Sequence, residues 1–291
     1  MARARPIIGV TPDMPFGAFA ARVIAVRADE AKALLTRNSA GPDLVHDKRV
    51  AVRRLRTAVE VFEPALPRKD ARQVRRELKA LFSGYGDRRD ADVQIALLRS
   101  MEPSLTAADA PGFKGLVAAL DASGGRDPGA ASLPAEVHDL ELAARSANGG
   151  AAAAVMEKIA AKRLAAVRKQ LGAEDPDELH QLRIAAKRLR YVLEVARPVA
   201  GNGVKRHEAA ARSVQDVLGE IHDCDVLLPL IREHRRELRD ADVAAIRVGR
   251  RAPNAMRYRG VQAIETRVRA RREDLYAELA GQRERWEKAL A

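Results

Sequence analysis

Apolar residues recur every three or four positions along most of the chain, the period of one helical face. The breaks in that pattern fall on Pro, Gly, Asn and Asp. The spacing predicts a first helix from Pro15 to about Arg37, closed by Asn38-Ser39-Ala40-Gly41-Pro42. A second, with Asp43 as N-cap, runs to Pro64. A third runs from about Pro67 to Gly84-Tyr85-Gly86, and a shorter one follows through Asp92 to Met101. The Gly/Ser/Pro-rich stretch from Asp121 to Ser132 reads as a linker, with a second soft spot at Asn148-Gly149-Gly150. Helices resume through Leu171, from Asp177 to Pro198, from Val204 to Leu218 and from Asp223 to about Ala245. A last one runs from about Ala255 to the end.

Composition supports the all-α class. Apolar residues make up 47% of the 291, enough for a sizeable core, while aromatics are only 3%. Alanine, leucine and arginine favour helix, and the aromatic enrichment expected of sheets is missing. Charge narrows the partner. Lys and Arg number 52 against 40 Asp and Glu, a net +12, as for proteins that meet nucleic acid, an anionic membrane surface or a phosphate polymer. A lone cysteine, Cys224, excludes an internal disulfide and argues against a cysteine zinc site. Residues 1–17 lack an apolar run of signal-peptide length, and no stretch approaches 18 uninterrupted apolar residues. The expectation is a cytoplasmic protein without a membrane partner.

An internal repeat sharpens this picture. VHDKRVAVRRLRTAVEVFEP, residues 45–64, aligns with LHQLRIAAKRLRYVLEVARP, residues 179–198, and nine of the 20 positions are identical. His46, Arg49, Arg54 and Arg56 recur as His180, Arg183, Arg188 and Arg190, and Lys187 stands where the first copy has Arg53. GDRRDADVQIALLR, residues 86–99, matches GEIHDCDVLLPLIR, residues 219–232. Seven residues before each glycine stands a base, Lys79 and Arg212. The chain therefore divides into two related helical units, residues 12–145 and 146–291, and a pseudo-twofold pair of bundles is the expected architecture.

On a helical projection, Arg183, Lys187, Arg190 and Tyr191 fall within about 80° of His180, opposite Leu182, Ala185, Leu189 and Val192. His46, Arg49, Arg53 and Arg56 do the same opposite Val52, Leu55 and Val59, with Arg54 and Arg188 at the flanks. No acid interrupts the second stripe between His180 and Tyr191, although carboxylates at i±4 normally relieve such repulsion. An anion lying across the stripe would relieve it too. Acids on neighbouring helices, Asp90, Asp92, Asp223 and Asp225, are the alternative. Glu60 and Glu194, four residues after Arg56 and Arg190, are expected to hold arginines in place.

The two stripes and the paired DxDV segments resemble the CHAD family, the conserved histidine α-helical domains, over nearly the whole chain from about Phe16. The resemblance implies a pair of four-helix bundles around a basic groove or pore. It also implies binding of inorganic polyphosphate, association with polyphosphate granules, and no catalysis. By position the binding set is His46, Arg49, Arg53, Arg54, Arg56, Lys79, His180, Arg183, Lys187, Arg188, Arg190, Tyr191 and Arg212. Two positions depart from the family pattern: Lys48 stands where an apolar residue is usual, and His222 replaces the arginine kept as Arg89 in the first copy.

Rival chemistries are less well supported by the residues. His222-Asp223 spells the dipeptide of helical metal phosphohydrolases, but the first copy has Arg89-Asp90, so the histidine does not recur. His207 and His234 lack metal-ligand spacing. No P-loop, dinucleotide loop or Ser-His-Asp set appears, so neither a cofactor nor an enzymatic activity is expected. Nucleic acid would feel the same charge, yet only Tyr191 offers a stacking ring on a stripe. It remains the alternative partner. The length of polymer bound and the oligomeric state are left open.

Overall fold

A computed structural model of the chain describes residues 4–38, 42–124, 129–147 and 149–291. Helix is the dominant element: α1 (Phe16–Leu35), α2 (Pro42–Val61), α3 (Arg68–Gly84), α4 (Gly86–Met101), α5 (Ala110–Ser123), α6 (Glu136–Ser146), α7 (Ala152–Arg168), α8 (Pro176–Ala200), α9 (Lys205–Arg247) and α10 (Tyr258–Leu290). Among the described residues there is no strand, only an isolated bridge between Pro15 and Ala151. The protein is all-α.

Several boundaries differ from the sequence expectation. Asp43 lies inside the first turn of α2, not at its N-cap. The start of α8 is Pro176, one residue earlier than expected, because Asp175 caps it: its carboxylate accepts from Asp177 N and Glu178 N, both at 2.9 Å. The two helices expected either side of Gly219 are one continuous α9, through both Gly219 and Pro229. A helical glycine costs about 1 kcal/mol, and here Leu218, Ile221 and Leu227 bury on either side and outweigh it. Helices α5 and α6 were not anticipated. The first occupies the start of the expected linker, and residues 125–128 lie outside the described part, as do Ser39, Ala40 and Gly41 of the first expected break and Asn148 of the soft spot.

The chain forms two compact units, and each draws on both sequence halves. Unit 1 comprises residues 1–86, 127–215 and 283–291; unit 2 comprises 87–126 and 216–282. In unit 1, α1 packs on α2 and α6, α2 on α3 and α8, and α7 on α8. Their shared core includes Phe62, whose ring centroid lies 5.3 Å from that of Phe16 and 5.4 Å from that of Phe19. The apolar face read for α2 is buried there through Val52, Leu55 and Val59, and Val192, Ala196 and Val199 of α8 join it. The Gly149-Gly150 corner is pinned: Phe16 N donates to Gly150 O at 3.0 Å and Ala152 N to Met14 O at 2.8 Å. Gly17 is obligatory beside it, because a Cβ would come within 2.3 Å of Ala147 O. Lys48 occupies an apolar position of α2 and is fully buried. Its Nζ donates to Gly129 O at 2.7 Å, and Tyr85 Oη donates to the same carbonyl at 3.1 Å.

Unit 2 contains α5, all of α4 but its first residue, and the greater part of α9 and α10. Gly112 of α5 and Gly260 of α10 touch backbone to backbone, with no room for a Cβ on either. The turn joining α9 to α10 is braced by buried Asp242, which accepts from Asn254 N (2.9 Å) and Tyr258 Oη (2.8 Å).

Candidate functional site

The stripes on α2 and α8 both belong to unit 1, and these two helices pack against each other. Val192, Ala196 and Val199 of α8 share the core that buries Val52, Leu55 and Val59 of α2, and Arg53 of α2 and Arg190 of α8 meet at the ring of Tyr191. Lys187 of α8 is where the stripes converge. Burial, and then the charges of Arg53, Arg183, Arg56 and Arg49, push its ammonium pKa down to about 8. Three of those arginines come from α2 and one, Arg183, from α8 itself. Arg53 is also shifted down, first by burial, then by Arg190 and Arg54 against the opposing pull of Tyr191 and Glu194.

Arg53, Arg56 and Arg190 rest on neutral groups. The Arg53 guanidinium lies 5.0 Å from the Tyr191 ring centroid and that of Arg190 4.8 Å. Arg49 and Arg56 lie 4.3 and 5.1 Å from the centroid of Phe82 on α3. Such contacts contribute about 0.5–2 kcal/mol each without cancelling charge. Arg49 also donates to Tyr85 O at 3.3 Å, and a Cβ on Gly86 would stand 3.2 Å from its Nη1. Arg190 Nε donates to the amide oxygen of Gln215 at 2.8 Å. Among the described residues none of Arg53, Arg56, Arg183, Lys187 and Arg190 forms an ion pair. Arg53 Nε, Arg183 Nε and Tyr191 Oη are buried without a hydrogen-bond partner in the protein.

Other members of the expected set stand differently. Arg54 is held by two carboxylates, Glu30 at 2.9 Å and Glu194 at 3.4 Å, so its charge is compensated. Arg212 pairs with Glu208 at 3.4 Å and is exposed. Lys79, His180 and Arg188 are exposed, and His46 is half-buried on α2. The acids also depart in detail from expectation. Glu60 meets Arg163 (3.4 Å) and Glu194 meets Arg54, not the arginines four residues before them. Asp92 holds Arg88 and Asp225 holds Arg272, all within unit 2.

The sequence profile of the CHAD domain matches residues 17–232. The chain belongs to the CHAD family. Its fold is that of the crystal structure of the CHAD domain from the plant Ricinus communis, with a TM-score of 0.68 at 20% identity over 98% of this chain and 96% of that one. PptA from Streptomyces chartreusis has the same fold, with a TM-score of 0.62 at 15% identity over 92% and 99% of the two chains. No match was found among curated proteins.

Within this CHAD chain, sequence reasoning missed Phe82 and Gln215. Phe82 and Gln215 each stand four residues before a repeated glycine, Gly86 and Gly219, so their register was available. The residue types differ, which hid the match. Cys224 is buried and its thiol is pushed up to about 11, chiefly by burial, so it is a poor nucleophile at neutral pH. Among the described residues no three His, Cys, Asp or Glu side chains gather as a metal ion would require, and no helix is long and apolar enough to cross a membrane.

Proposed function

We propose that this CHAD protein is a non-catalytic binding module for inorganic polyphosphate, acting at polyphosphate granules through the joined stripes of α2 and α8. The observation that carries the reading is the crowding at Lys187, where all four of the strongest neighbouring charges are arginines. Like charges gathered without carboxylates destabilise the free protein, and a polyanion lying across them removes that penalty. Arg53, Arg56, Arg183 and Arg190 would fork onto phosphate oxygens, with Lys187 as a point charge. Arg49 flanks them. Exposed Lys79, His180 and Arg188 extend the positive surface, with His46 beside Arg49 on the same stripe. Arg54 and Arg212, already paired, contribute field more than contact.

The ring geometry favours polyphosphate over nucleic acid. Single-strand binders stack bases on aromatic faces, whereas Tyr191 and Phe82 already carry two guanidinium groups each. The test is a titration of the full chain with long-chain polyphosphate at physiological salt, against single-stranded DNA, RNA and heparin at matched charge. Wild type should prefer polyphosphate, and the Arg183→Ala/Arg190→Ala double variant should bind it at least about 100-fold more weakly, since each charge-assisted hydrogen bond contributes about 1.5–3 kcal/mol. Equal affinity for every polyanion would leave a generic basic surface and return nucleic acid as the partner.

A further inference from the structure

We infer that Phe82 and Gln215 are charge-preserving positioning residues: they hold Arg56 and Arg190 in place while leaving the full positive charge available to a polyanion. The inference rests on the binding role proposed above, and it concerns how the site stays cationic.

An arginine can be oriented by a carboxylate or by a neutral acceptor. Both restrict the guanidinium, but the carboxylate also removes a unit of charge from the local field. Unit 2 uses carboxylates: Arg88 ends on Asp92 and Asp121, Arg259 on Asp109, Arg272 on Asp225. At Arg56 and Arg190 the partners are neutral. Arg56 lies over the Phe82 ring, and Arg190 donates to the Gln215 amide.

The two partners occupy matching places. Phe82 lies 133 positions before Gln215, the same offset that aligns Gly86 with Gly219 and Lys79 with Arg212. Arg56 and Arg190 are themselves matched at 134. The same contact is thus built twice in unit 1 from different chemistry, a π face in one place and an amide in the other. What the two share is the absence of charge. Glutamate would satisfy Arg190 better than glutamine does, because its carboxylate adds a Coulomb attraction and a second acceptor oxygen for the guanidinium fork. Fold stability alone therefore gives no reason for glutamine at position 215.

That contrast makes the test specific. Gln215→Glu is isosteric, and on this inference it keeps or raises the thermal midpoint of the full chain while long-chain polyphosphate binds about tenfold more weakly. The logarithmic salt dependence of binding should become shallower by about one, because one contact's counterion release is lost. Phe82→Leu keeps apolar volume but removes the π face, so affinity should fall several-fold and Phe82→Tyr should restore it. Wild-type affinity and salt slope in Gln215→Glu, with an unchanged or raised midpoint, would overturn the inference, as would Phe82→Leu binding like wild type. Should wild type prefer another polyanion such as heparin, the function proposed above fails. The same Gln215→Glu comparison on heparin then still decides whether the neutral partner matters.

Discussion

Of the 52 Lys and Arg, unit 1 holds 34 against 22 Asp and Glu, whereas unit 2 holds 18 of each. The entire +12 of the chain therefore belongs to unit 1. Unit 1 has carboxylate-paired arginines too, Arg54, Arg163 and Arg212 among them, but the centre of its stripes differs from the arginine cluster of unit 2. In unit 2, Arg232, Arg235 and Arg269 converge on Glu265, which is almost wholly buried, and burial of that carboxyl is outweighed by the three guanidinium groups. In unit 1, Arg53, Arg56 and Arg190 rest on rings and an amide, and Lys187 is crowded by arginines. Two helical regions of one chain thus use the same residue type for opposite ends. Paired with carboxylates, arginine braces a fold; set on neutral groups, it keeps an electrostatic demand that a ligand can meet.

The sharpest way to break this contrast is at Lys187. Replacing it with methionine removes a half-buried charge disfavoured by desolvation and by four arginines. Lys187→Met should stabilise the free protein by about 1–2 kcal/mol and weaken polyphosphate binding about tenfold. Denaturant melts and titrations of the same preparation would show the opposed signs; a loss of both stability and affinity would make Lys187 an ordinary packing residue.

The matching experiment in unit 2 is Glu265→Gln. Its three arginines are about half exposed and regain water, so the loss should be only about 1 kcal/mol of stability, with polyanion affinity unchanged or slightly raised. The pH dependence has a definite sign. The folded carboxyl sits below its ordinary value, so its contribution is present above about pH 4.5 and is lost as pH falls through the folded pKa. Acid melts of wild type and variant should therefore converge at low pH.

The smallest effect is the alkaline one. With Lys187 at about 8 in the free protein, polyphosphate affinity should fall several-fold between pH 7 and 9.5 as its proton is lost. The unfolded lysine keeps its proton to higher pH, so stability of the free chain should rise over the same range. Lys187→Arg, which stays charged, should flatten both curves; an unchanged profile in that variant would assign the pH response to another group.

Much of this architecture was legible in the residues. The 3.6-residue period on the α2 and α8 segments located both helices, and the same projection separated the buried Val52, Leu55 and Val59 from the stripe. Where local signals misled, a tertiary effect had overridden them. Gly219 reads as a breaker but lies within α9, because burial of its neighbours outweighs glycine's backbone freedom. Lys48, which stands where an apolar residue is usual, is buried as a cation because a loop carbonyl 81 residues away meets its ammonium. The helical projection set Arg53 on the stripe and Arg54 at its flank, but only the tertiary structure shows what each meets: the Tyr191 ring for Arg53, and Glu30 and Glu194 for Arg54.

By itself, then, the sequence determined the helical class, the two basic stripes, their placement one helix face away from the core, and the family. Those properties depend on residues close together in the chain, where periodicity and side-chain type suffice. The tertiary structure alone decided that both stripes fall in one compact unit, that Phe82 and Gln215 support their arginines, and that Asp92 and Asp225 serve other arginines. Those outcomes depend on which distant side chains come within a few ångströms, and both Coulomb interactions and hydrogen bonds are set by that distance.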